Sequence, residues 1–148
     1  MLTFYPFWFR KLSMSTMKYS ESEILLQHGV RPLLHRVEVY RYLLENRVHP
    51  TADDIYTALT REGVSIARST VYNILTLLVE NNLVQALSIE EKELRYDACM
   101  TPHIHFQCNQ CGEIYDINEG LFPSIDLKGG FQIDSVEVTI KGTCPHCL

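Results

Sequence analysis

Residues 95–116 read RYDACMTPHIHFQCNQCGEIYD, and this stretch organises the rest of the chain. It holds a His-x-His pair, His103 and His105, followed by Cys108-x2-Cys111, with Asp97 before the pair and Asp116 after it. Residues two apart on a strand share a face, so a strand over 103–107 points both imidazoles the same way. Gly112 predicts a turn, and residues 113–117 alternate again as the paired strand. Nitrogen, oxygen and sulfur donors thus crowd a single two-stranded unit. The expectation is two interleaved metal sites, one built of sulfur and one of nitrogen and oxygen.

The sulfur site is completed at the far end of the chain by Cys144-x2-Cys147. Four thiolates suit the tetrahedral preference of zinc and leave no open coordination position. The spacing predicts a structural Zn2+ on Cys108, Cys111, Cys144 and Cys147; two disulfides or free thiols are the competing reading. Gly112, directly after the first pair, lets the backbone turn around the ion. The fifth cysteine, Cys99, is left over and is expected to be a buried, inert thiol. The second donor set is His103, His105, Asp97, Asp116 and, further upstream, His49. Its borderline-hard character suits Fe2+, Mn2+ or Zn2+ with five or six bonds. His28, His35 and His146 are expected to be ordinary surface residues.

Before this stretch the hydrophobic pattern is helical. A short helix over 21–28 stops at Gly29. Pro32 sits where a helix accepts its first residue, and Leu33, Val37, Tyr40 and Leu44 recur on one face to about Asn46. Thr51 is an N-cap with Asp53 and Asp54 in the first turn; Ala52, Ile55, Tyr56 and Leu59 face inward, and Gly63 ends that helix. Ser69 or Thr70 starts another, burying Val71, Ile74, Leu75 and Leu78 and closing at Asn81-Asn82. Strands over 84–88 and 93–97 follow, joined by a charged turn at 89–92. Helices followed by a hairpin is the order of a winged helix-turn-helix, with the last helix as the reading helix. After residue 117 the pattern predicts a short helix within 120–130 and a long strand over 131–141 whose alternation slips near Ser135.

The chain has 148 residues with a net charge of −5, so no global basic charge argues for nucleic acid. Residues 17–92 carry eight Lys/Arg and ten Asp/Glu, a net of −2, so any DNA affinity must come from local placement. No apolar run reaches the roughly 18–20 residues of a membrane span, and the expected compartment is the cytoplasm. The apolar start, LTFYPFWF at 2–9, is followed rather than preceded by charge, which argues against a secretory signal. Residues 1–16 are expected to be a disordered extension, upstream of a start at Met14 or Met17. The fold expectation is α+β: a winged-helix domain over 17–98, then a small α/β dimerisation and metal-binding domain over 99–148, the boundary lying near 98–102.

Taken together, these motifs resemble the ferric uptake regulator (Fur) superfamily of metal-dependent repressors. The resemblance rests on HPTADDIY at 49–56, STVY at 69–72, NLV at 82–84, RYD at 95–97, His103-x-His105, Cys108-x2-Cys-Gly112 and Cys144-x2-Cys147. It implies a homodimer on palindromic double-stranded DNA. It also implies structural Zn2+ on the four cysteines and a regulatory Fe2+ or Mn2+ at a hinge, on His49, Asp97, His103, His105 and Asp116. Asp at both acidic positions looks more like the peroxide-sensing branch, where His49 and His103 would be the candidates for oxidation. The family often has a further histidine-acid cluster; Pro102, Ile104, Ser135 and Val136 stand where its side chains would be, so that site is expected to be absent. The helix within 120–130 looks shortened, and PLLH at 32–35 replaces a more polar turn.

On this reading Tyr72 and Asn73 would face bases, Ser69 and Thr70 would approach phosphate, and Arg31, Arg36 and Arg68 would add backbone contacts. Two other classes compete. A non-haem iron enzyme could be built on two His and a carboxylate, although five protein ligands leave little room for substrate. A zinc-stapled protein-interaction module would keep the fold without binding DNA.

Overall fold

The structure is a computed structural model that describes residues 19–88, 93–117, 127–134 and 136–148. Among these residues the chain forms two compact units, one up to Met100 and one from Thr101 onward. The expected extension at 1–16, the turn at 89–92, most of the expected helix within 120–130 and the slip at Ser135 lie outside the described residues.

Among the described residues the first unit contains four helices and a two-stranded ribbon. Helix α1 (Glu21–Gln27) opens on a capping box: the Ser20 hydroxyl accepts from the Glu23 amide, and the Glu23 carboxylate accepts from the Ser20 amide. Helix α2 (Leu34–Glu45) departs from expectation. Pro32 stands two residues ahead of it, and the N-cap is Leu33, which has no oxygen to offer the first amides. Leu33 is 47% exposed and does not join the inward stripe. The buried residues of α2 are Val39, Tyr40 and Leu43, with Val37 and Leu44 packed at the margin. At about 100° per residue, 37-40-44 marks one border of a wider apolar face whose other border is Val39 and Leu43.

Helix α3 (Ala52–Arg61) follows expectation. The Thr51 hydroxyl accepts from the Asp54 amide at 3.1 Å, and the Asp54 carboxylate accepts from the Thr51 amide at 2.9 Å. Ala52, Ile55 and Leu59 are buried and Tyr56 is half-buried. Helix α4 (Arg68–Glu80) starts earlier than expected, with Ala67 as N-cap and Ser69 and Thr70 inside the first turn. Val71 is fully buried and its amide bonds to the Ala67 carbonyl at 3.2 Å, so the turn must already be wound at Ser69. Val71, Ile74, Leu75 and Leu78 are buried as the pattern predicts. Strand β1 (Gln85–Leu87) pairs antiparallel with β2 (Arg95–Asp97), Gln85 opposite Asp97. Both are shorter than the expected 84–88 and 93–97. The core of the unit joins Leu25, Val39, Leu43, Ile55, Leu59, Val71, Leu75, Leu78 and Val84.

Among the described residues the second unit contains a three-stranded sheet of order β4-β3-β5. Strand β3 (Ile104–Cys108) pairs antiparallel with β4 (Ile114–Ile117) and parallel with β5 (Val138–Gly142). The long strand expected at 131–141 is therefore a five-residue strand. Its ladder partner β3 spans five residues, and the register from Ile104↔Val138 to Cys108↔Gly142 uses all of them. Phe131 and Ile133, expected inside the strand, are 71% and 43% exposed. At Gly142 the chain passes so close to Phe106 that a Cβ would lie 3.1 Å from the ring.

Candidate metal centres

The four cysteines come together as the sequence predicts. Cys108 ends β3, Gly112 at φ 74 carries the chain around, and Cys144 follows β5, which lies beside β3. The four sulfur atoms fall within 4.8 Å of one another. Around zinc, with Zn–S bonds of about 2.3 Å, tetrahedral neighbours lie about 3.8 Å apart; Cys111 Sγ and Cys144 Sγ are 3.8 Å apart. Backbone amides donate to Cys108 Sγ from Gln110 at 3.4 Å and from Cys144 at 3.3 Å. Such amides, that of Cys111 foremost, hold the Cys108 thiol down to about 6, while the neighbouring Cys144 sulfur pushes Cys147 up to about 12. The Tyr115 hydroxyl lowers Cys144. Thiols this close cannot all ionise against one another; a divalent cation removes that conflict. The four residues fit zinc, which would supply a closed structural cross-link rather than a reactive position.

In the second unit His103 stands just before β3 and His105 lies on it, directly opposite Asp116 on β4. His103 and His105 are 8% and 4% exposed. The Nδ1–H of His103 donates to the Thr101 carbonyl at 2.7 Å, which leaves the Nε2 lone pair pointing inward. His103 Nε2 lies 2.9 Å from His105 Nε2 and 3.2 Å from Asp116 Oδ1, and His105 Nε2 lies 3.6 Å from the same oxygen. For ligands at right angles on bonds of about 2.1 Å, the separation is about 3.0 Å. Electron-rich atoms facing each other at these distances need a proton or a cation between them. The two nitrogens and one carboxylate fit a borderline metal.

In the first unit His49 and Asp97 form a second buried pair, 2% and 3% exposed, with His49 Nε2 4.0 Å from Asp97 Oδ2. His49 has φ 51, a left-handed conformation that a residue with a Cβ rarely adopts, at a cost of roughly 1–2 kcal/mol. Its segment is pinned: Arg95 Nη1 donates to the His49 carbonyl at 3.4 Å, the Tyr96 amide donates to the Pro50 carbonyl at 3.0 Å, and Thr51 bridges Arg95. Asp97 is held by its other oxygen, which accepts from the Cys99 amide at 2.8 Å. Cys99, expected to be buried, is half-buried.

The candidate DNA contacts are also in the first unit. Arg31 is exposed, and Arg36 is half-buried with Nη1 donating to the Arg31 carbonyl at 3.1 Å. On α4, Arg68, Ser69, Tyr72 and Asn73 are exposed and Thr70 is half-buried. Thr70, Asn73 and Arg36 line a cavity of about 430 Å³ with Leu33, Leu34 and Ile74. Sequence reasoning missed Asp53 as a partner of this face. Its carboxylate lies 3.3 Å from Arg68 Nη1 and 3.5 Å from the Tyr72 hydroxyl. Only the crossing of α3 and α4 reveals that pairing.

The class these donor sets define is an α+β metal-binding protein. The ferric uptake regulator family matches residues 27–140, and the chain belongs to that family. Among curated relatives, the peroxide operon regulator of Bacillus subtilis is 33% identical over 132 residues, covering 84% of this chain and 89% of its own. The peroxide-responsive repressor of Staphylococcus aureus is 32% identical, covering 83% and 86%. Among solved structures, the ferric uptake regulator from Pseudomonas aeruginosa with manganese superposes with a TM-score of 0.69 at 21% identity, covering 86% of this chain and 99% of that one. That likeness speaks to the fold.

Proposed function

We propose that the chain is a metal-dependent, DNA-binding transcriptional repressor of the peroxide-responsive kind, working as a homodimer in the cytoplasm. The observation that carries this reading is the convergence of His103 Nε2, His105 Nε2 and Asp116 Oδ1 at ligand-shell separations. His49 and Asp97 complete the regulatory set, so one Fe2+ or Mn2+ would be held by residues of both the 17–98 and the 99–148 domains. When bound, the ion supplies positive charge and, as iron, reactivity toward peroxide. The chain's own residues do the rest. Thr101 fixes the His103 tautomer, Arg95 and Pro50 hold His49 in place, and the Cys99 amide orients Asp97.

Helices α2 to α4 with the β1-β2 ribbon form the winged helix-turn-helix, and α4 is the reading helix. Tyr72 and Asn73 face bases, Ser69 and Thr70 approach phosphate, and Arg31, Arg36 and Arg68 grip the backbone. Cys108, Cys111, Cys144 and Cys147 hold the structural Zn2+. Exposed Leu127, Phe131, Ile133 and Ile140 supply apolar surface for the dimer. Two reading helices match a palindrome at one separation only, and an ion favours the conformation that it binds better. Among the described residues no helix is long and apolar enough to cross a membrane.

The test is DNA binding by protein purified without oxygen and loaded with Fe2+, Mn2+ or Zn2+, before and after peroxide. The expected result is metal-dependent binding that peroxide abolishes in the iron form and spares in the manganese form. Binding indifferent to metal would refute the reading. Peroxide-treated iron protein should also gain one oxygen atom on a peptide containing His49 or His103. Mass spectra unchanged on both peptides would leave metal sensing without peroxide sensing.

A further inference from the structure

The acidic residue at the start of α3 stands against two side chains at the start of α4. Asp53 Oδ2 pairs with Arg68 Nη1 at 3.3 Å, and Asp53 Oδ1 lies 3.5 Å from the Tyr72 hydroxyl, the outer limit of a hydrogen bond. The Arg68 guanidinium also lies over the Tyr56 ring, 5.4 Å from its centroid, which holds it from α3 a second time. Arg68 and Tyr72 remain 61% exposed at the side chain and 45% exposed overall. They are presented to solvent, but in a posture that α3 dictates.

We infer that Asp53 is a positioning residue for DNA reading: it restrains Arg68 and Tyr72 and thereby weakens sequence-independent binding, so that discrimination between sequences rises. The inference rests on α4 being the reading helix. An arginine at the mouth of such a helix serves any phosphate it meets, and that grip carries no sequence information. A carboxylate already paired with it makes random phosphate contact compete with an existing partner. An exposed pair is individually weak, which suits the task, because a matching site can still recruit Arg68. The same carboxylate limits the sweep of the Tyr72 ring.

The full chain, carrying zinc and Mn2+, is tested on a duplex enriched from a random pool by the unaltered protein and on a scrambled duplex of equal length. The variants are Asp53→Asn, Arg68→Gln, both together and Asp53→Glu, with Asp53→Ser as a second charge-removing change. Asp53→Asn keeps an acceptor oxygen for Tyr72 but releases Arg68. It should bind scrambled DNA up to about eightfold more tightly near 0.1 M salt and steepen the slope of log K against log salt by about 0.9, the signature of one more phosphate contact. The ratio of matched to scrambled affinity should fall. Asp53→Glu should retain the shallow slope, and in the Arg68→Gln background the Asp53 change should leave the slope as it is. An unchanged slope and ratio for both Asp53→Asn and Asp53→Ser overturn the inference alone. So does equal steepening with and without Arg68, which would mark bulk charge. If the unaltered protein enriches no sequence, the reading of α4 fails and takes this inference with it.

Discussion

Leu33 occupies an N-cap with extended backbone, φ −79 and ψ 151, and makes no side-chain cap. The geometry is that of a Ser, Thr or Asp cap, so Leu33→Thr should stabilise the protein by about 1 kcal/mol. A urea midpoint that rises at unchanged slope is the expected readout; a lower midpoint would mean that the leucine packs usefully where it lines the cavity. The identity of the candidate ligands is the most legible property of this chain, because chemistry travels with residue type. Cys108, Cys111, Cys144 and Cys147, and His103 with His105, can be picked out from spacing alone. The strained backbone of His49 and the grip of Asp53 on Arg68 cannot. One depends on what the ribbon β1-β2 pins, the other on how two helices cross.

Helix α3 was the most legible segment, since its cap, its buried stripe and its glycine stop are all local signals. The cap is also testable. Thr51→Ala removes one half of a reciprocal box and should cost roughly 1–2 kcal/mol. Leu75, fully buried on α4, should cost about 2–5 kcal/mol on change to alanine. Both are read from chemical denaturation, and a loss under 0.5 kcal/mol for Leu75→Ala, on the order of an exposed-site change, would contradict its place in the core. Strand β5 was the least legible, because alternation at 131–134 continues past the end of the only described strand that pairs with it. Length there is set by the partner, which sequence periodicity does not record. The same limit explains α4, whose start is set by the need to bury Val71 rather than by the serine and threonine that invite a cap.

The two donor sets should give the chain different dependences on metal. Removal of zinc should unravel the second unit, whose short sheet has its ends gathered by the cysteines, whereas removal of the regulatory ion should leave both folds standing. Zinc uptake at pH 7 should release fewer than four protons. Cys108, held near 6, is a thiolate beforehand, and the Tyr115 hydroxyl lowers Cys144, while Cys111 and Cys147, both raised, still carry protons. Indicator-dye titration measures the count, and four would contradict the amide and hydroxyl contacts as the cause. In the proposed regulatory site one ion is shared by His49 and Asp97 on one side and His103, His105 and Asp116 on the other. The most direct test of that sharing is an anaerobic Mn2+ titration of DNA binding by Asp97→Ala and His103→Ala, with zinc content confirmed intact. Each variant should need at least roughly tenfold more Mn2+ for half-maximal DNA binding, since ligand loss costs no less than loss of an outer partner. Metal-dependent binding unchanged in both variants would contradict the shared site.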